Sequence, residues 1–130
     1  MASMNYVILA GRLKTDAVKR AAKDGGTFYT VTLCVDDYKL ENGVWRETKG
    51  EIELTVGEAK AKNIEAALVK DALIAIEGRL GQRLRQGKDG NTYSNLLVRV
   101  QSVIPLEEDA EGYAGREEAE EYFDAAALGI

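Results

Sequence analysis

Arg79, Arg83 and Arg85 stand at positions of one parity, with Gly81 between them and no acid on that side until Glu77. Residues of one parity share a strand face, so the three guanidiniums fall roughly 7 to 13 Å apart along it. Such a row suits the phosphates of a phosphodiester chain, because each guanidinium presents a fork of charged donors, and Gly81 leaves room for close approach. Arg12, Lys14, Lys19, Arg20, Lys39, Arg46, Lys88 and Arg99 add positive charge, and Tyr38, Trp45 and Tyr93 fall near strand ends or hairpins. Cations that follow a backbone and aromatic faces that stack on bases are the mixture that holds single-stranded nucleic acid. An ordinary solubilising surface draws on the same residue types, so the row by itself leaves both readings open.

Other chemistries have less to work with. The chain has no histidine and one cysteine, Cys34. A Ser/His/Asp triad, a Cys/His pair, a histidine metal site and an intrachain disulfide are therefore excluded. Glu51 and Glu53 share a strand face about 7 Å apart, and Asp36 adjoins Asp37. Paired carboxylates can share acid–base work or hold a divalent cation, but on a solvent-facing strand they are commoner as surface. Gly87-Lys88-Asp89-Gly90-Asn91-Thr92 has the composition of a phosphate loop without its spacing and reads as a hairpin turn. Cys34 reads as a small, partly buried filler. The expectation is a non-catalytic protein with no metal and no cofactor.

These residues need a frame, and the frame is strand-like. Val7, Leu9, Gly11 and Leu13 alternate with Tyr6, Ile8, Ala10, Arg12 and Lys14, giving a first strand. After a polar stretch with a turn at Asp24-Gly25-Gly26, Phe28 to Tyr38 sets Tyr29, Val31, Leu33 and Val35 against Thr30, Thr32, Cys34, Asp36 and Tyr38. Asn42-Gly43 is a strong hairpin signal, since both central residues of a type I′ turn need positive φ, and it leads to a third strand ending Ile52, Leu54, Val56. From Glu58 to Lys70 the spacing of Ala59, Ile64, Ala67 and Leu68 predicts a helix of about three turns. Alternation returns with Ile74, Ile76, Gly78 and Leu80, and Lys88 to Asn91 turns the chain into a last strand with Leu96, Val98 and Val100 opposed to Leu97, Arg99 and Gln101. Three strands, a helix and two strands is the order of an all-β, five-stranded OB barrel with its helix between strands 3 and 4. Another small α+β sandwich has the same order.

At 130 residues the chain fits one domain and a tail. Residues 1–104 carry 16 basic against 13 acidic side chains, a net +3, whereas residues 105–130 carry Arg116 against nine acids, a net −8. Pro105 is expected to end the last strand. Beyond it an acidic, mostly disordered segment holds Ala119, Tyr122, Phe123 and Ala126 at the spacing of a short amphipathic helix, marginal alone and suited to ordering on a partner. A solvated acidic end has the same composition. No apolar run approaches the roughly 20 residues of a membrane helix, and the start lacks the features of a signal peptide, so the expected location is the cytoplasm, without membrane contact.

Asn5-Tyr6-Val7-Ile8-Leu9-Ala10-Gly11-Arg12-Leu13, Thr30-Val31-Thr32-Leu33-Cys34-Val35, Ala75-Ile76-Glu77-Gly78-Arg79-Leu80 and Gly90-Asn91-Thr92-Tyr93 occur in that order over residues 4–104. In these blocks the chain resembles the bacterial and phage single-stranded DNA-binding proteins. The resemblance implies an OB fold, usually a homotetramer although a dimer is possible, that binds single-stranded DNA without sequence preference during replication, recombination or repair and is associated with the nucleoid. It also implies recruitment of replication and repair proteins by the C-terminus, here Tyr122, Phe123, Leu128 and Ile130. The DNA contacts expected are Arg12, Lys14, Tyr38, Trp45, Arg46, Arg79, Arg83, Arg85, Tyr93 and Arg99. Tyr38 falls where the family commonly has a stacking tryptophan, while Ile52, Val56 and Leu84-Arg85 stand where further aromatics are expected, so most of the stacking platform is missing. The tail ends Phe123-Asp124-Ala125-Ala126-Ala127-Leu128-Gly129-Ile130 instead of the family's acidic run closing in Ile-Pro-Phe. These departures keep open a second function, an OB-fold protein-interaction or assembly module of the primosome-accessory type with weak or no DNA binding.

Overall fold

The chain forms six strands, β1 (Val7–Leu13), β2 (Val18–Ala21), β3 (Thr27–Glu41), β4 (Val44–Gly57), β5 (Leu73–Gln86) and β6 (Thr92–Pro105), with a helix α1 (Glu58–Asn63) between β4 and β5. The computed structural model describes residues 3–106. Tyr122, Phe123, Leu128, Ile130 and the amphipathic helix expected around them lie outside the described residues. Five strands close into a barrel in the order β1-β5-β6-β4-β3 and back to β1, and the OB architecture read from the element order is the one observed.

Closure depends on β1, which pairs with β5 from Val7 to Arg12 and then meets β3 at Arg12 and Leu13. At the crossing the backbones approach so closely that a Cβ built on Gly11 would overlap the carbonyl oxygen of Cys34. The other side closes by a short parallel contact, Leu54 opposite Val98 and Thr55 opposite Arg99. Inside, Leu13, Leu33, Leu54, Val56, Ile74, Ile76 and Val98 are fully buried, and these are inward positions of the alternation. Beyond the closed portion the strands continue as two arms. Residues 36–49 of β3 and β4 pair only with each other, as do residues 81–97 of β5 and β6. Asn42 and Gly43 turn the first arm with φ of 50° and 78°, as the type I′ reading requires.

The structure corrects several details. The polar stretch before β3 contains a further strand, β2, hydrogen-bonded to the start of β3 and exposed along its whole length. With neither face buried, β2 leaves no alternation to detect. The expected three-turn helix is one of six residues, followed by a 3-10 turn at Glu65–Ala67. Tertiary bonds take over its backbone groups: Ala17 N–H donates to the Leu68 carbonyl at 3.0 Å, and Lys70 N–H donates to the Asp16 carboxylate at 2.7 Å. Ala61 and Leu68 reach the core, with Ile64 packed against it. Leu80 and Leu96 follow inward parity but are exposed, Leu80 at the base of the arm opposite Val98 and Leu96 on the arm past the barrel wall. A register shift opposite Glu77 and Gly78 leaves Gln101 without a partner in the ladder, and it returns Val103 to the core. β6 continues through Pro105, opposite Ile74, and Leu106 N–H still donates to the Leu73 carbonyl.

Gly11→Ala forces a methyl group against main chain that cannot rotate away, so it is expected to destabilise the protein by about 1–3 kcal/mol or more in urea unfolding. Gly57→Ala, where nothing lies within 4 Å of the added carbon, is expected to change stability little.

Candidate nucleic-acid interface

The ladder from Gly78 to Gln86 is uninterrupted, so Arg79, Arg83 and Arg85 do share the outer face of β5. Opposite them on β6 stand Arg99 across from Arg79, Leu97 across from Gly81, Asn95 across from Arg83 and Tyr93 across from Arg85. Four arginines and a tyrosine thus occupy one face of one hairpin. The Arg85 guanidinium carbon lies 5.5 Å from the centre of the Tyr93 ring, a cation–π contact that holds the two flat groups together. The space above Gly81 is filled by the Arg99 side chain, which a Cβ at Gly81 would overlap. This glycine accommodates a neighbouring guanidinium, not a ligand as its place in the row first implied.

The arginine face borders a cleft of about 430 Å³ between the hairpin and the end of β4. Phe28, Thr55, Gly57, Arg83, Leu97 and Arg99 contribute to its walls. Phe28 and Leu97 were not singled out from the sequence, since a Phe at a strand start and a Leu of outward parity are ordinary until strand order brings them together. Leu97 is buried in spite of its parity. Arg83 is not free of acids. Its Nη1 lies 2.9 Å from Oε1 of Glu53 on β4, and the two side chains are only 40% and 30% exposed. The nearest same-strand acid, Glu77, accepts hydrogen bonds from the hydroxyls of Tyr6 and Ser102. Among the described residues no carboxylate forms an ion pair with Arg79, Arg85 or Arg99.

The remaining predicted positions are spread more widely. Lys14 pairs with Glu51, whose hydrogen bond and charge raise the lysine pKa above its ordinary value. Arg12 donates from Nη1 to the Asp71 carbonyl at 3.0 Å. Tyr38 and Trp45 share a face of the β3–β4 arm and are 64% and 67% exposed. Arg46 points from the opposite face of that arm and lies 3.7 Å from Glu41. Ile52 and Val56, where resemblance leads one to expect aromatics, pack inward. The outward positions of β4 are therefore Glu51, Glu53 and Thr55, and Glu51 and Glu53 are ion-paired rather than bare solvent-facing acids.

The family model described as the single-strand binding protein family matches residues 4–106. The chain belongs to the single-strand binding protein family. A relative named single-stranded DNA-binding protein 3, from Listeria innocua, is 31% identical over 112 residues, 86% of this chain and 69% of the relative. The single-stranded DNA-binding protein of Bacillus cereus is 33% identical over 109 residues, covering 80% of this chain and 61% of that protein. Among solved structures, a Plasmodium falciparum SSB in complex with ssDNA superposes with a TM-score of 0.69 at 15% identity, over 82% of this chain and 98% of the other. A small single-stranded DNA-binding protein from Streptomyces coelicolor gives a TM-score of 0.59 at 16% identity, over 85% and 98% of the two chains. At such identities the superpositions establish the fold. Among the described residues of this family member, no three metal-ligating side chains converge, and no helix is long and apolar enough to cross a membrane.

At the tip of the arginine hairpin the Tyr93 hydroxyl donates to Asp89, and this bond, aided by the Asn91 backbone N–H, lowers the Asp89 pKa. The contribution to stability is present above the unfolded carboxyl's value of about 3.9 and fades as pH falls through Asp89's own lower one. Tyr93→Phe is expected to move the Asp89 titration, followed by its carboxyl ¹³C shift, upward toward the ordinary range.

Proposed function

We propose that this chain binds single-stranded DNA without sequence preference and without catalysis, using the outer face of the β5–β6 hairpin and the cleft beside it. The observation that carries the reading is the gathering of Arg79, Arg83, Arg85, Arg99 and Tyr93 on one face in a member of this family. Arginines contribute through phosphate contacts, while the Arg85–Tyr93 stack offers bases a flat surface where Lys-Trp is common in the family. Tyr38 and Trp45 add two exposed rings on the neighbouring arm. The expected setting is DNA replication, recombination or repair at the nucleoid of the cytoplasm. Assembly into a homo-oligomer is supported by the β1 edge from Val7 to Gly11, which pairs on one side only, and a tetramer more than a dimer is what the family resemblance implies.

A labelled oligo-dT of about 35 nucleotides should bind saturably in fluorescence anisotropy and resist displacement by duplex of equal length. Log affinity against log salt should have a slope near −0.7 per phosphate neutralised, about −2 for the three arginines of that face that no acid pairs with. Arg79→Ala with Arg85→Ala should flatten that slope by about 1.4, while Arg46→Ala, on the opposite face of the other arm, should leave it nearly unchanged. No binding at low salt would replace this reading with the assembly module, which the acids on β4 favour.

The tail, residues 105–130, is assigned to recruiting replication and repair proteins or to occupying the body's basic face, on the strength of −8 against +3. If it occupies that face, deleting residues 107–130 should tighten oligo-dT binding in the same titration; equal affinity would leave partner recruitment as its role.

A further inference from the structure

The outer face of β4 carries acids where a surface for DNA has no use for them. Leu54 and Val56 take the inward positions, which fixes Glu51 and Glu53 outward, two residues apart on one face. They face the hairpin arginines because β4 lies against β6, with Thr55 beside Arg99. Each acid holds a cation from another strand or its end: Glu51 takes Lys14 and Glu53 takes Arg83. Farther along the same face Asp36 on β3 takes Lys49. The Glu53–Arg83 pair is the one with both side chains substantially covered, so water screens it less than the others.

We infer that Glu53 competes with DNA phosphate for Arg83. The inference rests on the single-strand-binding reading and adds a residue that sets its affinity. A phosphate arriving at Arg83 must displace Glu53 or meet a guanidinium already neutralised. Arg79, Arg85 and Arg99 have no acid ion-pair partner among the described residues and meet phosphate at full charge. The electrostatically favourable route for phosphate therefore follows the hairpin.

The test titrates the full chain with oligo-dT of about 35 nucleotides over a range of salt. Glu53→Gln removes the charge but keeps the size, and it is expected to tighten binding about two- to fivefold with a slope steeper by about 0.7. Adding Arg83→Gln to that variant should abolish the gain. Glu41→Gln is the matched control, since it removes one charge from an Arg–Glu pair on the opposite face of the other arm. Equal behaviour of Glu53→Gln and Glu41→Gln, with wild-type binding intact, overturns the inference and leaves the binding reading standing. Absence of binding in every variant overturns both. Should Glu53→Gln disturb folding, as judged by its thermal transition, the unmodified chain gives a second readout. Saturating oligo-dT should shift the Glu53 carboxyl ¹³C resonance as Arg83 leaves it, and an unmoved resonance overturns the inference.

Discussion

The fold depends on one crowded crossing, where β1 leaves β5 and joins β3 and the backbone at Gly11 passes against the Cys34 carbonyl. Without that crossing β1 has one neighbour, the sheet stays open, and the inward faces of β3 and β5 lose their shared interior. With it, Leu13, Leu33 and Ile74 meet in one core. A side chain at position 11 would hold the two strands apart by the width of a carbon. The absence of that carbon therefore lies upstream of every other tertiary relation in the barrel.

Closure also settles which groups are left outside. Once β3 to β6 have placed their apolar parity inward, their polar parity forms one outer surface across two hairpins. That surface is divided electrostatically. On β3 and β4 several acids are paired, Asp36 with Lys49 and Glu51 with Lys14 just beyond β1, whereas on β5 and β6 three arginines carry charge with no acidic partner. Exposed ion pairs of this sort contribute little to stability, so their main effect is on the location of positive potential. A chain with a formal charge of −5 can in this way present a cationic face.

The two arms follow from the same geometry. Past the closed barrel each hairpin pairs only with itself and exposes both faces, leaving Tyr38 and Trp45 on one arm and Leu84 and Tyr93 on the other accessible. Stacking groups need such exposure, and the barrel supplies rigid roots for strands too long to be covered by it. The Arg85–Tyr93 stack and the Tyr93–Asp89 bond give the second arm internal order at a place where no core supports it.

Much of this was legible before any coordinate. Period-two alternation identified the inward residues of β1, β3 and β4, Asn42-Gly43 identified its turn, and the parity of Arg79, Arg83 and Arg85 placed them together, because each is a relation between residues close in sequence. The short β2 escaped because neither of its faces is buried, and the helix was overestimated because Asp16 and Ala17 bond its last residues from a distant loop. Leu80 and Leu96 show the same limit, since parity assigns a face but not whether anything covers it. The partnership of Arg83 with Glu53, the filling of the space over Gly81 by Arg99, and the joining of Phe28 to Leu97 in one cleft required the strand order. Alternation and turn chemistry are local consequences of backbone geometry and are written along the chain, while charge pairing and cleft formation depend on which distant strands become neighbours, which barrel closure alone decides.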